Sequence, residues 1–223
     1  RKCGIMNSSI HDCGAGGVVI DGGEKENLCD SNNFVENCVI CRFSQVIPVY
    51  APGIKLWGVG NYAKNNTIFD SWHTAVLISG NNNKLIKNEI FDVVNGSKDA
   101  GAVYAYCDSS SRGIEIKENY IHHLGVGSEN PARTGVSAIY LDGWTSSRII
   151  EKNVFYNCSV GINLNGGSDN IVNNNLFIDT PIAIYAQRVS GSAYAYWSYL
   201  KDKYFNWDVW HKAYPEIEDY DYD

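Results

Sequence analysis

Asp142 closes the run Ala138-Ile-Tyr-Leu-Asp142 and stands directly before Gly143. Carboxylate pairs that cleave glycosidic bonds stand about 5–5.5 Å apart for retention or about 6.5–9.5 Å apart for inversion. Asp99 and Asp108 bracket the preceding copy of the same run, which makes them candidate partners for Asp142, with Glu129 a third. Asp21 shares the column of Asp142 but lies four repeats away, ~19 Å at strand spacing, and cannot pair with it. His73 and the pair His122-His123 sit at bends, where His123 would set a general acid/base beside Asp142. Arg112 and Arg133 suit a sugar carboxylate, although Arg112 also opens a strand and fits a structural role there. Tyr104, Tyr140 and Tyr185 with Trp57, Tyr106, Asn163, Asn165 and His73 combine aromatic faces with amide edges, which suits sugar rings. Each has a plainer use: Asp-Gly is a turn signal, and Tyr is common on a solvated strand face.

The elements that would position these groups come from a repeat. An Asn-like slot precedes Ile or Phe by two residues at Ser8/Ile10, Asn32/Phe34, Asn66/Ile68, Asn88/Ile90, Asn119/Ile121, Asn153/Phe155 and Asn175/Phe177. A short period lengthened only by insertions marks stacked coils, because one such unit cannot bury its apolar face alone. In a second register, Val18, Ile54, Val76, Val103, Ile139, Ile162 and Ile184 form one apolar column, and Ile20, Leu56, Ile78, Ala105, Leu141, Leu164 and Ala186 another. Alternation turns both inward, and it turns the Lys55/Tyr104/Tyr140/Asn163/Tyr185 and Trp57/Tyr106/Asp142/Asn165 columns outward. The predicted fold is all-β: a parallel β-helix of about seven coils over 1–187, its bends held by an Asn ladder.

Coil lengths differ mainly at one corner, where Val39–Pro52, Val93–Asp99 and Gly125–Thr134 read as insertions walling the outward columns into a groove. Residues 188–223 break the pattern. Tyr194, Trp197, Leu200 and Tyr204 recur at helical spacing, with Trp207 and Trp210 beyond, which predicts a partly helical aromatic cap on the last coil and an acidic tail.

A net charge of −7 argues against nucleic acid and anionic membranes as partners, and no apolar run reaches bilayer length. Seven cysteines, an odd number, do not make a complete disulfide framework. Cys13, Cys38 and Cys158 are expected as small buried residues at one corner. Sequons at Asn7, Asn65, Asn95 and Asn157 point to an extracellular source. No cofactor is expected. Calcium would need clustered carboxylates, and no ligand-spaced loop is visible. There is no phosphate-binding glycine loop, His-Glu-x-x-His or Gly-x-Ser-x-Gly. The first slot at Ser8 predicts further N-terminal coils of the same chain before residue 1.

Lys98-Asp-Ala-Gly-Ala-Val-Tyr104, Asp108, Arg112-Gly113, Asn119-Tyr-Ile-His-His123 and Ala138-Ile-Tyr-Leu-Asp142 together resemble right-handed parallel β-helix proteins of the carbohydrate-active kind. So do Asn165-Gly-Gly-Ser-Asp-Asn170 and the close from Trp207 to Ile217. The resemblance implies a glycoside hydrolase acting on a polysaccharide or oligosaccharide, with a uronate lyase or epimerase second and a non-catalytic glycan-binding coil third. One β-helix xylosidase family is similar around Asp142 and implies the nucleophile role for it. That family's acid/base Glu falls near Asn163, an amide here. Tyr106 and Cys107 stand where the wider group has a Gly-Arg pair, and Gly143 where it has a second Asp.

Overall fold

The computed structural model describes residues 2–125, 135–187 and 206–218. Three parallel sheets of seven strands each form the faces of a coil. The first sheet runs from Gly4–Met6 to Ile171–Asn173, the second from Ser9–His11 to Leu176–Ile178, and the third from Val18–Ile20 to Ile182–Gln187. Each strand pairs in register with its counterpart one coil away, as in Ile54↔Val76, Val103↔Ile139 and Ile139↔Ile162. The inward columns stack into one core in which Ile54, Leu56, Val76, Ile78, Val103, Ile139 and Leu141 are fully buried. At roughly 1.5–3 kcal/mol per buried aliphatic side chain, this column is the main favourable term holding the coils together.

The corner between the first and second sheets explains the Asn slot. A left-handed residue turns the chain in every coil: Asn7, Asn37, Asn65, Lys87, Glu118, Lys152 and Asn174, with φ between 52° and 58°. Asn is enriched there because its short polar side chain tolerates that conformation. The next residue buries its side chain under the turn. Asn66, Asn88, Asn119 and Asn153 each donate their backbone N–H to the Oδ1 of the Asn one coil on, at 2.9–3.0 Å.

The second coil differs from the sequence expectation. The partner of Ile10 and Ile68 is Ile40, not Phe34. Cys38, rather than Asn32, fills the slot and donates its N–H to Asn66 Oδ1 at 3.0 Å; it is a buried corner residue as expected, but at this corner and not at the one that Cys13 and Cys158 share. Phe34 lies in the first sheet against Tyr62. The misreading arose because a second Asn ladder runs down the corner between the third and first sheets. There Asn33, Asn61 and Asn83 accept backbone N–H bonds from Cys3, Asn33 and Asn61 at 2.7–2.9 Å. Two ladders with one local signature let the sequence pattern step from one to the other. The first insertion is therefore residues 42–53, between Cys41 and Ile54.

Of the predicted C-terminal cap, residues 206–218 are described and include a short helix, Trp207–Ala213. They lie along the corner between the third and first sheets, not across the last coil. Trp210 is buried and donates Nε1–H to Glu26 O at 3.0 Å in the first coil. Tyr214 Oη meets Asn82 Oδ1 at 2.9 Å, and Glu216 Oε1 accepts from Ser147 at 2.9 Å. The segment is a strap spanning most of the stack. Tyr194, Trp197, Leu200 and Tyr204 fall outside the described residues.

Arg112 is buried beneath this strap and bonds Asp169 and Glu216, each at 3.1 Å. It is thus a structural cation and does not hold a substrate carboxylate. Arg112→Met would leave two carboxylates facing each other without their cation. A loss of about 3 kcal/mol is expected, read as a lowered urea midpoint, because removing one partner of a buried pair strands the other.

Candidate active site

The outer face of the third sheet carries the predicted columns, paired in the expected order: Lys55↔Leu77, Leu77↔Tyr104, Tyr104↔Tyr140 and Tyr140↔Asn163. The insertions 42–53 and 92–99 rise from the corner with the second sheet, as predicted. The third, Gly125–Thr134, falls almost wholly outside the described residues, and with it Glu129 and Arg133.

Packing within the sheet face changes what the aromatic residues do. Tyr104 and Tyr140 are only 7% and 6% exposed and pack edge-to-face, ring centroids 5.3 Å apart, in a cluster with Leu77 and Trp57. They are not an open sugar platform; their hydroxyls act instead. Tyr104 Oη donates to Asp142 Oδ2. Tyr140 Oη donates to Asp99 Oδ1 at 3.2 Å and receives Asn165 Nδ2–H at 3.5 Å. Tyr185 remains exposed, beyond Asn163 in the same column.

Asp142 is the centre of this network. Its Oδ1 accepts from the Gly143 N–H at 2.8 Å and from Asn165 Nδ2 at 2.8 Å. Its carbonyl accepts from the Thr145 N–H, so the turn role and the site role coincide. Burial pushes the carboxyl pKa up. The bonds from Tyr104, Gly143, Asn165 and the Cys107 thiol outweigh that and hold it below the usual Asp value. Asp142 is therefore ionised at neutral pH. Its neighbours move the other way: desolvation and the Asp142 charge push the Cys107 thiol up to about 11 and raise both tyrosines. All three remain protonated donors.

Asp99 is exposed at the loop edge and joins Asp142 through Tyr140 and Asn165. Those three contacts laid end to end bound the carboxylate separation from above at about 10 Å, which admits both the retaining and the inverting spacing. Asp108 is engaged elsewhere, by the Ser110 N–H at 2.9 Å and by Lys25 at 4.0 Å. Asn163 accepts from Gln187 Nε2 at 3.2 Å.

Three predicted histidines leave the site. His122 and His123 lie on Tyr120–Leu124 of the second sheet. His122 stacks on Phe91 and faces Glu89, and His123 meets Tyr156 edge-on. They belong to a different face from Asp142. His73 is buried under Tyr50, ring centroids 5.5 Å apart, and supports the loop rather than contacting a ligand.

That burial pushes the His73 pKa below its ordinary 6.5. Between the two values the unfolded chain binds the proton more readily, so the stability due to neutral His73 is complete above about pH 6.5 and declines as the pH falls through it. The urea midpoint is expected to drop from pH 7 to pH 5, and more steeply than in His73→Gln.

An open groove of about 570 Å³ lies on this outer face and reaches Cys107, whose thiol bonds Asp142. Trp57, Tyr50, Tyr106 and Cys107 line it together with Lys25, Lys55, Asp21, Ser79 and Asp108. The loops 21–33 and 106–113 form its second wall, which the sequence reading did not anticipate. Tyr50 and Tyr106 are 57% and 42% exposed, centroids 6.0 Å apart, and provide the aromatic surface. Nothing in the sequence pointed to Tyr50 or Lys25; Lys55 was marked only by its outward column, and Cys107 only by standing where the similar proteins carry Arg. Among the described residues no three His, Cys, Asp or Glu side chains gather to hold a metal ion, and no helix is long and apolar enough to cross a membrane.

Three in-register parallel sheets, an Asn-laddered corner and a loop-walled outer face define a parallel β-helix with a surface groove. The model of the right-handed β-helix region matches residues 52–194, and the chain belongs to that family. No curated protein and no solved structure matches the chain.

Proposed function

We propose that this β-helix is a carbohydrate-active protein, secreted or displayed at a cell surface, that hydrolyses glycosidic bonds with Asp142 at the anomeric centre. The supporting observation is the carboxylate itself. It is held ionised by convergent donors beside a groove with exposed aromatic faces, and donors fixed in advance cost little reorganisation when charge develops.

Hydrolysis needs one carboxyl to protonate the leaving oxygen and another to attack carbon or activate water. Asp142 takes the second role, and Asp99 is the proton donor. Tyr104 and Asn165 orient Asp142, and Tyr140 orients Asp99. The lyase and epimerase reading is the weaker one: Arg112 is spent on Asp169 and Glu216, and Tyr104, with its raised pKa, is a poor base. Asn163, where the similar xylosidases carry Glu, favours a binding module as the second reading.

A panel of neutral and acidic polysaccharides tests this, read for new reducing ends and for unsaturated-uronate absorbance. New ends without absorbance are the expected result. Absorbance moves the case to a lyase. Binding without either signal moves it to a glycan-binding module.

A further inference from the structure

Among the strand lysines described, Lys64 faces Glu36 at 3.2 Å, Lys84 faces Glu115 at 3.2 Å, and Lys117 faces Glu115 at 3.0 Å. Lys55 is placed differently. Its ammonium sits 3.6 Å from the ring centroid of Trp57, at the edge of the groove, with no carboxylate within ion-pair distance among the described residues. The indole Nε1–H of Trp57 is also buried without an acceptor. Lys25, the other cation of the groove, is held by Ser110 at 2.6 Å and faces Asp108. Lys55 is thus the groove cation whose charge a ligand would meet.

Its place along the stack sets the ligand's length. Strand pairing puts Trp57, Ser79, Tyr106 and Asp142 in one column on successive coils. Three rungs separate Trp57 from Asp142, roughly 14 Å at strand spacing. That exceeds one sugar ring, so a ligand touching both ends must be an oligosaccharide lying along the coil axis over Tyr106.

We propose that the groove binds a linear acidic glycan, with an anionic substituent seated on Lys55 beside Trp57 and the chain running along the coils toward Asp142. An anion gains from an ammonium that pairs with no carboxylate among the described residues, and the Trp57 face holds that ammonium in position. A carboxylate and a sulfate would meet the same site. The proposal rests on the glycan reading of the groove but not on bond cleavage.

The test uses calorimetric titration of the full chain carrying Asp142→Asn, so that turnover does not consume the ligand. The probes are a galacturonate hexamer, a sulfated galactan hexamer, xylohexaose and a galacturonate dimer. One acidic hexamer is expected to bind at least tenfold tighter than xylohexaose, and which one does so identifies the anion. If it is the galacturonate, its dimer should bind at least tenfold more weakly than the hexamer. Lys55→Met is expected to abolish the acidic preference, and Lys55→Arg to keep it. Equal affinity for acidic and neutral hexamers, an acidic preference that survives Lys55→Met, or no binding by any hexamer would overturn the proposal. Cleavage of neutral glycans by the unsubstituted chain without an acidic preference would sink this inference and leave the hydrolase standing. Tight acidic binding without cleavage would do the reverse.

Discussion

Asp142→Asn is expected to lower the release of reducing ends at least about a thousandfold, because it removes the charge that acts in the transition state and leaves the shape intact. The amide can still accept from the Gly143 N–H and from Asn165, and the turn through Thr145 does not depend on the carboxylate. The thermal midpoint should therefore change little while kcat collapses. Tyr104→Phe, which removes one of the donors, should cost about ten- to a hundredfold, the range expected for a hydrogen bond to a charged group. It should also shift the acid limb of the pH–rate profile upward, because Tyr104 is among the groups holding the Asp142 pKa down. Equal activity of Asp142→Asn and the unsubstituted protein on the substrate found in the panel would remove Asp142 from the chemistry. Loss of binding along with activity would point to a folding defect, which far-ultraviolet circular dichroism would reveal.

Asn119→Ala is expected to destabilise the coil by about 3–5 kcal/mol, among the largest effects of any single substitution outside the apolar core. Asn119 is 1% exposed and engages both faces of its side chain. Its Nδ2 donates to Leu85 O and to Asn153 Oδ1, each at 2.9 Å. Its Oδ1 accepts from the Asn88 N–H at 2.9 Å and from Asn88 Nδ2 at 3.0 Å. Truncation strands groups on both neighbouring coils in a space that water does not reach, and an unmade buried bond costs more than a made one gains. Asn175→Ala, at the half-buried end of the ladder, should cost less than half as much. Urea unfolding at constant slope would measure both. A midpoint shift for Asn119→Ala no larger than for Asn175→Ala would show that the ladder is not cooperative.

The period of the chain was enough to determine the coil. Side-chain alternation in Val76-Leu-Ile78 or Ile139-Tyr-Leu141 fixes which face is buried, because a strand has only two sides. Every residue assigned inward on the middle coils lies in the core. The left-handed corner was half legible. The Asn residues marked it, but Lys87, Glu118 and Lys152 adopt the same conformation with no local signature, and the second ladder at Asn33, Asn61 and Asn83 has the same local form as the first. The place of Asp142 in the outward column was readable too, because alternation along the strand and the following Gly143 are local facts.

What the loops and the C-terminal segment cover was not readable. Outward on a strand means away from the core, but not into water. Tyr104 and Tyr140 point outward and are buried all the same, since they pack edge-to-face on each other in a cluster with Leu77 and Trp57. Arg112 looked available until Glu216, far along the chain, took one side of its guanidinium. The groove, its second wall and a Lys55 with no carboxylate partner among the described residues likewise depend on contacts between distant residues. Periodicity encodes the distance from one rung to the next. It carries no information about which segment returns across the stack to lie on top of it, and only the tertiary structure decided that.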